Sequence, residues 1–290
     1  MTLPLRHLLA ALALFAGLAA VPGSALAAQS YDNCTGFIDS VPATITTQGV
    51  WCLRKNLTAS ITSGMAITVA ANNVTIDCND FKIGGLGGGD SSNAFGIYAG
   101  NKQNVTVRHC NVRGFMSGIS LIGGAGHLVE DNRLDNNLKY GIYMLGADNS
   151  LVQRNRVYDT GGHPATTDTV AIYVDADVIG NTVAGVFATA NAKARGIIAG
   201  TAATIRNNRV RGFQASGTNG GYATGIYATD AGSMVDGNHV IGGGAAAVPG
   251  SAISGAGSST SPDIACSNNV VGGFAGGINA CVDAGGNTRL

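Results

Sequence analysis

Apolar residues along this chain sit at every second position of short segments, and the segments recur. Gly96-Ile97-Tyr98 returns as Gly118-Ile119-Ser120, Gly141-Ile142-Tyr143, Ala171-Ile172-Tyr173, Gly196-Ile197-Ile198, Gly225-Ile226-Tyr227 and Gly277-Ile278-Asn279, with Ala252-Ile253-Ser254 as a looser copy. Successive copies lie 22 to 30 residues apart. A second phrase falls between them: Asn132-Arg133-Leu134, Asn155-Arg156-Val157, Asn181-Thr182-Val183, Asn208-Arg209-Val210, Asn238-His239-Val240 and Asn269-Val270-Val271. Asn79-Asp80-Phe81 opens that series, and Cys110 takes the Asn place in the next repeat. Alternation with a period of two marks a strand. Each repeat holds three strands: one around Gly-Ile-Tyr, one ahead of the Asn (Leu128-Val129-Glu130) and one after it (Arg209-Val210-Arg211). Asn suits the bend between the last two, because it tolerates left-handed backbone angles and can hydrogen-bond along a stack of its own kind. Repeats stacked about 4.8 Å apart give three parallel sheets. The predicted fold is all-β, a right-handed parallel β-helix of about eight or nine coils.

Stacking also sets outward residues side by side. The row two positions before the Asn reads Asp77, Arg108, Glu130, Gln153, Ile179, Arg206, Asp236, and its alternating signs predict structural ion pairs, Arg108 with Glu130 among them. Arg113 and Asp135 form a similar pair on the third strand. The outward row of the first strand reads Tyr98, Ser120, Tyr143, Tyr173, Ile198, Tyr227, Ser254, Asn279. Flat rings with a polar edge suit the faces of a sugar chain, although tyrosine also simply favours exposed strand positions. The connection back to the first strand is long over residues 84–95, short in the next two coils and long again over 160–170. That profile predicts a groove over the second to fourth coils. Its floor holds Arg113, Asp135, Lys139, Tyr140, Tyr143 and Tyr158, one wall carries Asp90, and the other carries His163 and Asp168, with Asp175 just beyond Tyr173.

Composition narrows the class. Charged residues make up only 12% of the chain and the formal net charge is zero, so nothing in the sequence suggests the clustered Lys and Arg that nucleic acid requires. Arg6 and His7, an apolar run over residues 8–21 and Ala25-Leu26-Ala27 read as a secretory signal peptide over 1–27. The run is short for a membrane span, so the mature form is expected to lack one and to be periplasmic or extracellular. All six cysteines follow it, which suits disulfides in an exported chain; spacing does not fix their connectivity, and neighbour pairing, with Cys34–Cys52 and Cys266–Cys281 at the two ends, is the working expectation. Residues 28–64 match no coil and are read as an N-terminal cap, with the β-helix domain spanning 65–290. The C-terminal end looks thinly covered.

The Gly-Ile-Tyr and Asn-x-Val phrases over roughly 65–285 resemble the pectate-lyase-like superfamily and the β-helix repeat proteins of bacteria. That resemblance implies a substrate cleft on the first sheet and its loops. It leaves activity open, since the fold hosts lyases, hydrolases, epimerases, esterases and non-enzymatic proteins. A polysaccharide lyase or epimerase acting on uronates needs a base, for which Lys139, His163 and Tyr140 are candidates. It also needs a group that neutralises the carboxylate, such as Ca²⁺ held by Asp159, Asp168 and Asp175. Tyr98, Tyr143, Tyr173, Tyr227, Arg113, Asp135 and Tyr158 are the candidate substrate-binding residues. The Asp-Pro-His-Asp motif of alginate epimerases is absent, as is the Asn-Thr-Asp, Asp-Asp and Gly-His-Gly set of polygalacturonases. A glycoside hydrolase and a non-catalytic carbohydrate-binding or structural protein therefore stand as alternatives.

Overall fold

The computed structural model describes residues 31–165, 168–189, 192–215, 221–243, 248–256 and 263–290; the signal-peptide reading of 1–27 lies outside them. From Asn33 on, the described residues form one solenoid. Its strands fall into three parallel sheets of 10, 11 and 10 strands, and within each sheet every strand pairs only with its counterparts one coil away. The first sheet carries the Gly-Ile-Tyr strands, such as Tyr140–Leu145 and Asp168–Val174. The second carries those ahead of the Asn, such as Leu151–Gln153, and the third those after it, such as Arg156–Gly161. The only helical element described is a short 3₁₀ turn at Leu86–Gly88.

The repeats pair in the register that the alternation predicts. Ile97, Ile119, Ile142, Ile172, Ile197, Ile226 and Ile253 stack as one buried row, each fully shielded from solvent. The glycine before the Ile is needed where the coils approach closely. A Cβ at Gly225 would meet Val240 Cγ1 at 2.2 Å and the Ala252 carbonyl oxygen at 2.4 Å.

The corner between the second and third sheets is held by the asparagines. Asn132, Asn155, Asn181, Asn208, Asn238 and Asn269 are at most 2% exposed. The Oδ1 of each accepts the backbone N–H one coil before it: Asn155 from Asn132 at 3.0 Å, Asn181 from Asn155 at 2.9 Å, Asn208 from Asn181 at 2.9 Å. The Nδ2 of each donates to a carbonyl of the preceding coil, as from Asn181 to Val152 at 2.9 Å. Asn287 ends the row by accepting from the Asn269 backbone at 3.0 Å. A polar side chain with every group satisfied can be buried without a large penalty.

Asn79 does not open this row. It sits at φ 46° and donates to the Leu53 carbonyl. Its corner is two residues longer than that of the next coil, since Asp77 aligns with Arg108 while Lys82 aligns with Asn111. Cys78 and Cys110 occupy the corner there and are joined by a disulfide, with Cα atoms 4.7 Å apart, about one coil spacing. Cys34–Cys52 and Cys266–Cys281 pair as neighbours too.

Gly36–Phe37, Ala43–Ile45, Gly49–Cys52 and Leu57–Thr58 join all three sheets ahead of residue 65. The stretch without a recognisable repeat thus supplies the first rungs. At the other end, the two-residue strands Val282–Asp283 and Thr288–Arg289 finish the second and third sheets and stay exposed.

Candidate functional site

The outer face of the first sheet gathers most of the chain's tyrosines. Tyr98, Ser120, Tyr143, Tyr173, Ile198, Tyr227 and Ser254 stand in one row, one per coil. Tyr140, three residues before Tyr143, aligns with Val170 of the next coil. Its ring stacks on Tyr143 with centroids 4.7 Å apart, and Tyr143 meets Tyr173 edge-on at 5.6 Å. Tyr140 and Tyr173 lie 6.3 Å apart, so the three rings form one cluster. Lys139 Nζ sits 5.1 Å from the centre of the Tyr140 ring.

Burial, then neighbouring Tyr173 and Asp168, push the Tyr140 phenol above its ordinary value; burial, then Tyr140, Tyr173 and Asp175, push Tyr143 up as well. Both phenols therefore stay protonated at neutral pH. They can donate hydrogen bonds to a sugar hydroxyl, but a raised pKa argues against Tyr140 as a base.

The next coils add charge. Lys193 and Arg195 precede Gly196-Ile197 in the strand Lys193–Ala199 and align with Asp168 and Val170. Arg195 reaches Asp168 Oδ2 at 3.7 Å and donates to the Tyr222 hydroxyl at 3.3 Å. Lys193 Nζ lies 5.1 Å from the Tyr222 ring centre, and the Arg195 guanidinium 5.9 Å from that of Tyr227. Burial alone would raise the Tyr222 phenol, but hydrogen bonds from Arg195 and Lys193 and their charges outweigh it and hold the phenol below its ordinary value. Arg195, Tyr222, Thr224, Tyr227, Ser251 and Ser254 line a hollow of about 280 Å³.

The site residues expected from the sequence divide. Tyr140, Tyr143, Tyr173 and Lys139 come together, and Tyr98 and Tyr227 extend their row. Arg113, Asp135 and Tyr158 belong instead to the outer face of the third sheet, in the aligned strands Asn111–Arg113, Arg133–Asp135 and Arg156–Gly161. The expected pair of Arg113 with Asp135 forms there at 3.4 Å, and Arg133 joins it at the same distance. Those strands turn a corner before the first sheet begins, so their outward side chains form a separate row rather than a groove floor. His163 is buried at 4% exposure, with Nδ1 accepting from the Ala165 N–H, so its ring is not presented as a solvent-facing base.

Asp159 follows Tyr158 within the third-sheet strand Arg156–Gly161, Asp168 faces Arg195, and Asp175 accepts from the Gly146 N–H at 2.7 Å. Among the described residues no three acidic, His or Cys side chains gather closely enough to hold a cation, so these three Asp do not form the expected Ca²⁺ set. Glu130 pairs with Arg154 at 2.6 Å rather than with Arg108, which turns to Asp77 at 2.8 Å.

Sequence reading missed Lys193, Arg195 and Tyr222. Lys193 and Arg195 are two residues apart, just ahead of the Gly-Ile pair, and the alternation that exposes Asp168 would have exposed them.

No curated protein matches the chain in sequence. Among solved structures it is similar to the Dettilon tailspike protein, at 16% identity and a TM-score of 0.49 over 81% of this chain and 53% of that one. This chain thus spans about half of the tailspike's length. It is also similar to the mannuronan C-5 epimerase AlgE6 A-module of Azotobacter vinelandii, at 12% identity and a TM-score of 0.45 over 89% and 79% of the two chains. For the alginate lyase of Paenibacillus sp. str. FPU-7 the values are 15% and 0.41 over 89% and 98%. The sequence profile described as the right handed beta helix region matches residues 44–210, more than half of the chain. With three parallel sheets stacked in that register, the chain belongs to the right-handed β-helix family.

Proposed function

We propose that this protein is an exported, carbohydrate-interacting β-helix that holds an acidic polysaccharide along the outer face of its first sheet. The observation that carries the reading is the Tyr140, Tyr143 and Tyr173 cluster running on, coil by coil, to Arg195 and Lys193. Aromatic faces stack on the apolar faces of sugar rings. A guanidinium offers a planar pair of donors to a carboxylate. Arg195 is only partly engaged by Asp168 at 3.7 Å, which leaves donors for a ligand. The three disulfides suit an oxidising compartment, and no helix among the described residues is long and apolar enough to cross a membrane.

Affinity electrophoresis in gels carrying polygalacturonate, alginate or neutral dextran tests this. Retardation by the acidic polymers is expected to weaken about tenfold in Tyr143→Ala and in Arg195→Gln, a loss of about 1.4 kcal/mol. Retardation by dextran alone would contradict the reading.

Eliminative cleavage is the second reading, favoured by the low-lying Tyr222 phenol beside Arg195. In that chemistry Arg195 neutralises the uronate carboxylate. Tyr222 in its phenolate form takes the proton from the adjacent C5, the C4–C5 double bond forms as the C4–O bond breaks, and the departing glycosidic oxygen takes that proton back from the Tyr222 hydroxyl. Ultraviolet absorbance from unsaturated uronates should then appear with wild-type protein and vanish in Tyr222→Phe while binding persists. Absence of the signal on all acidic polymers leaves the non-catalytic form of the proposal.

A further inference from the structure

The third sheet carries a feature that the net charge of zero conceals. Arg133, Arg156 and Arg209 stand in one outward row, with only Thr182 between the second and third of them, and His239 follows Arg209. Arg211 stands two residues along, next to Ala184 of the preceding coil. All four arginines are exposed. Arg133 leans on Asp135 and on the Tyr158 ring, but Arg156, Arg209 and Arg211 have no ion-pair partner among the described residues. Arg133 and Arg156 face each other as like charges on adjacent rungs, a repulsion that a bound anion would relieve further than Asp135 does.

The shape of this strip selects the anion. Its charges run in file along the helix axis, with Arg133 and Arg209 three rungs, or about 14 Å, apart. The strip is one short strand wide. Thr182 and Ala184 keep its middle low, and hollows lie at both ends: about 360 Å³ where Arg133, Arg154 and Arg156 outnumber Asp80 and Asp131, and about 410 Å³ beside Arg209, Arg211 and His239. Acids border it on both sides. Asp131, bound by Arg154, sits on the corner before the strip, and exposed Asp159 lies beyond it along the strand Arg156–Gly161. A broad anionic surface such as a lipid bilayer would press against those acids. A single polyanionic chain passes between them.

We propose that the outer face of the third sheet, along Arg133, Arg156, Arg209 and Arg211, binds a linear polyanionic polysaccharide lying parallel to the helix axis. This surface is separate from the tyrosine face and does not depend on that reading. Guanidinium forks suit sulfate as well as carboxylate, so a heparin oligosaccharide of defined length is a suitable probe. Its affinity for the full chain should fall steeply with salt, and Arg156→Gln/Arg209→Gln/Arg211→Gln should weaken binding by at least about tenfold and flatten the salt slope by about one per arginine. All three side chains are exposed, so an unchanged thermal midpoint will show that the variant is folded. Tyr143→Ala/Tyr173→Ala should leave that salt-steep component in place even if the tyrosine face binds sugar. An unchanged slope in the arginine variant overturns the proposal. So does tighter binding of duplex DNA or of phosphatidylglycerol vesicles than of heparin at the same salt.

Discussion

Asn181 and Tyr173 belong to the same coil and both recur once per turn, yet they answer to different demands. Asn181 lies inside a corner at 1% exposure. Its Oδ1 accepts from the Asn155 N–H, its Nδ2 donates to Val152, and its own N–H donates to Asn208. Removing it strands polar groups in two neighbouring coils. Tyr173 stands on the surface, touches Tyr143 and Tyr140 through ring edges and faces, and aligns with an isoleucine in the next coil. The inner row is specified by hydrogen-bond satisfaction. The outer row is specified by nothing in the packing that a leucine or threonine could not supply. Stacking multiplies whatever a coil presents, so the same register yields a structural spine inside and a candidate binding surface outside.

The sharpest way to break the comparison is at the corner itself. Cys78→Ala/Cys110→Ala removes the cross-coil link where the asparagine row stops and should cost about 3 to 4 kcal/mol, read from the denaturant midpoint of the oxidised protein. Asn181→Ala should cost about 3 kcal/mol by the same measurement, because buried donors and acceptors lose their partners. Tyr173→Ala should cost only about 1 kcal/mol, while sugar binding drops. If Tyr173→Ala destabilised as much as Asn181→Ala, the outer row would be structural after all.

Smaller effects come from titration. The Tyr222 phenolate should appear in ultraviolet absorbance at a pH below that of an ordinary phenol near 10. Arg195→Gln should move that step upward, because it removes a hydrogen-bond donor and a nearby charge. His127 is buried and held below its ordinary value by that burial, with Nδ1 accepting from the Val105 N–H and Nε2 donating to the Gly123 carbonyl. Its unfolded value is about 6.5. Between the lowered folded value and that figure the unfolded chain holds more proton, so stability rises with pH across the window and falls as pH drops below about 6.5. His127→Gln should flatten that slope.

The coils were legible in the sequence because strand alternation and the Gly-Ile and Asn-x-Val phrases repeat the physical constraint at each turn. The row of Tyr98, Tyr143, Tyr173 and Tyr227 followed from the same register. Residues 36–58 pair as coils without carrying either phrase. Which partner a long side chain takes was not legible. Glu130 could reach Arg108 or Arg154, and the register fixes only the Cα positions. The third-sheet arginines are not legible as a cluster in the sequence, because Arg133, Arg156 and Arg209 are scattered along the chain and come together only when the coils stack. Loop lengths misplaced the groove for a related reason: they say how far a connection protrudes, not which sheet's outward row it overhangs, so Arg113, Asp135 and Tyr158 were assigned to a floor they do not share.

A crystal of the protein soaked with a short oligouronate tests the account most directly. Sugar rings are expected over Tyr143 and Tyr173, with a carboxylate within hydrogen-bond distance of Arg195. Oligouronate bound elsewhere, with the tyrosine row bare at saturating concentration, would contradict the claim that the first sheet is the carbohydrate face.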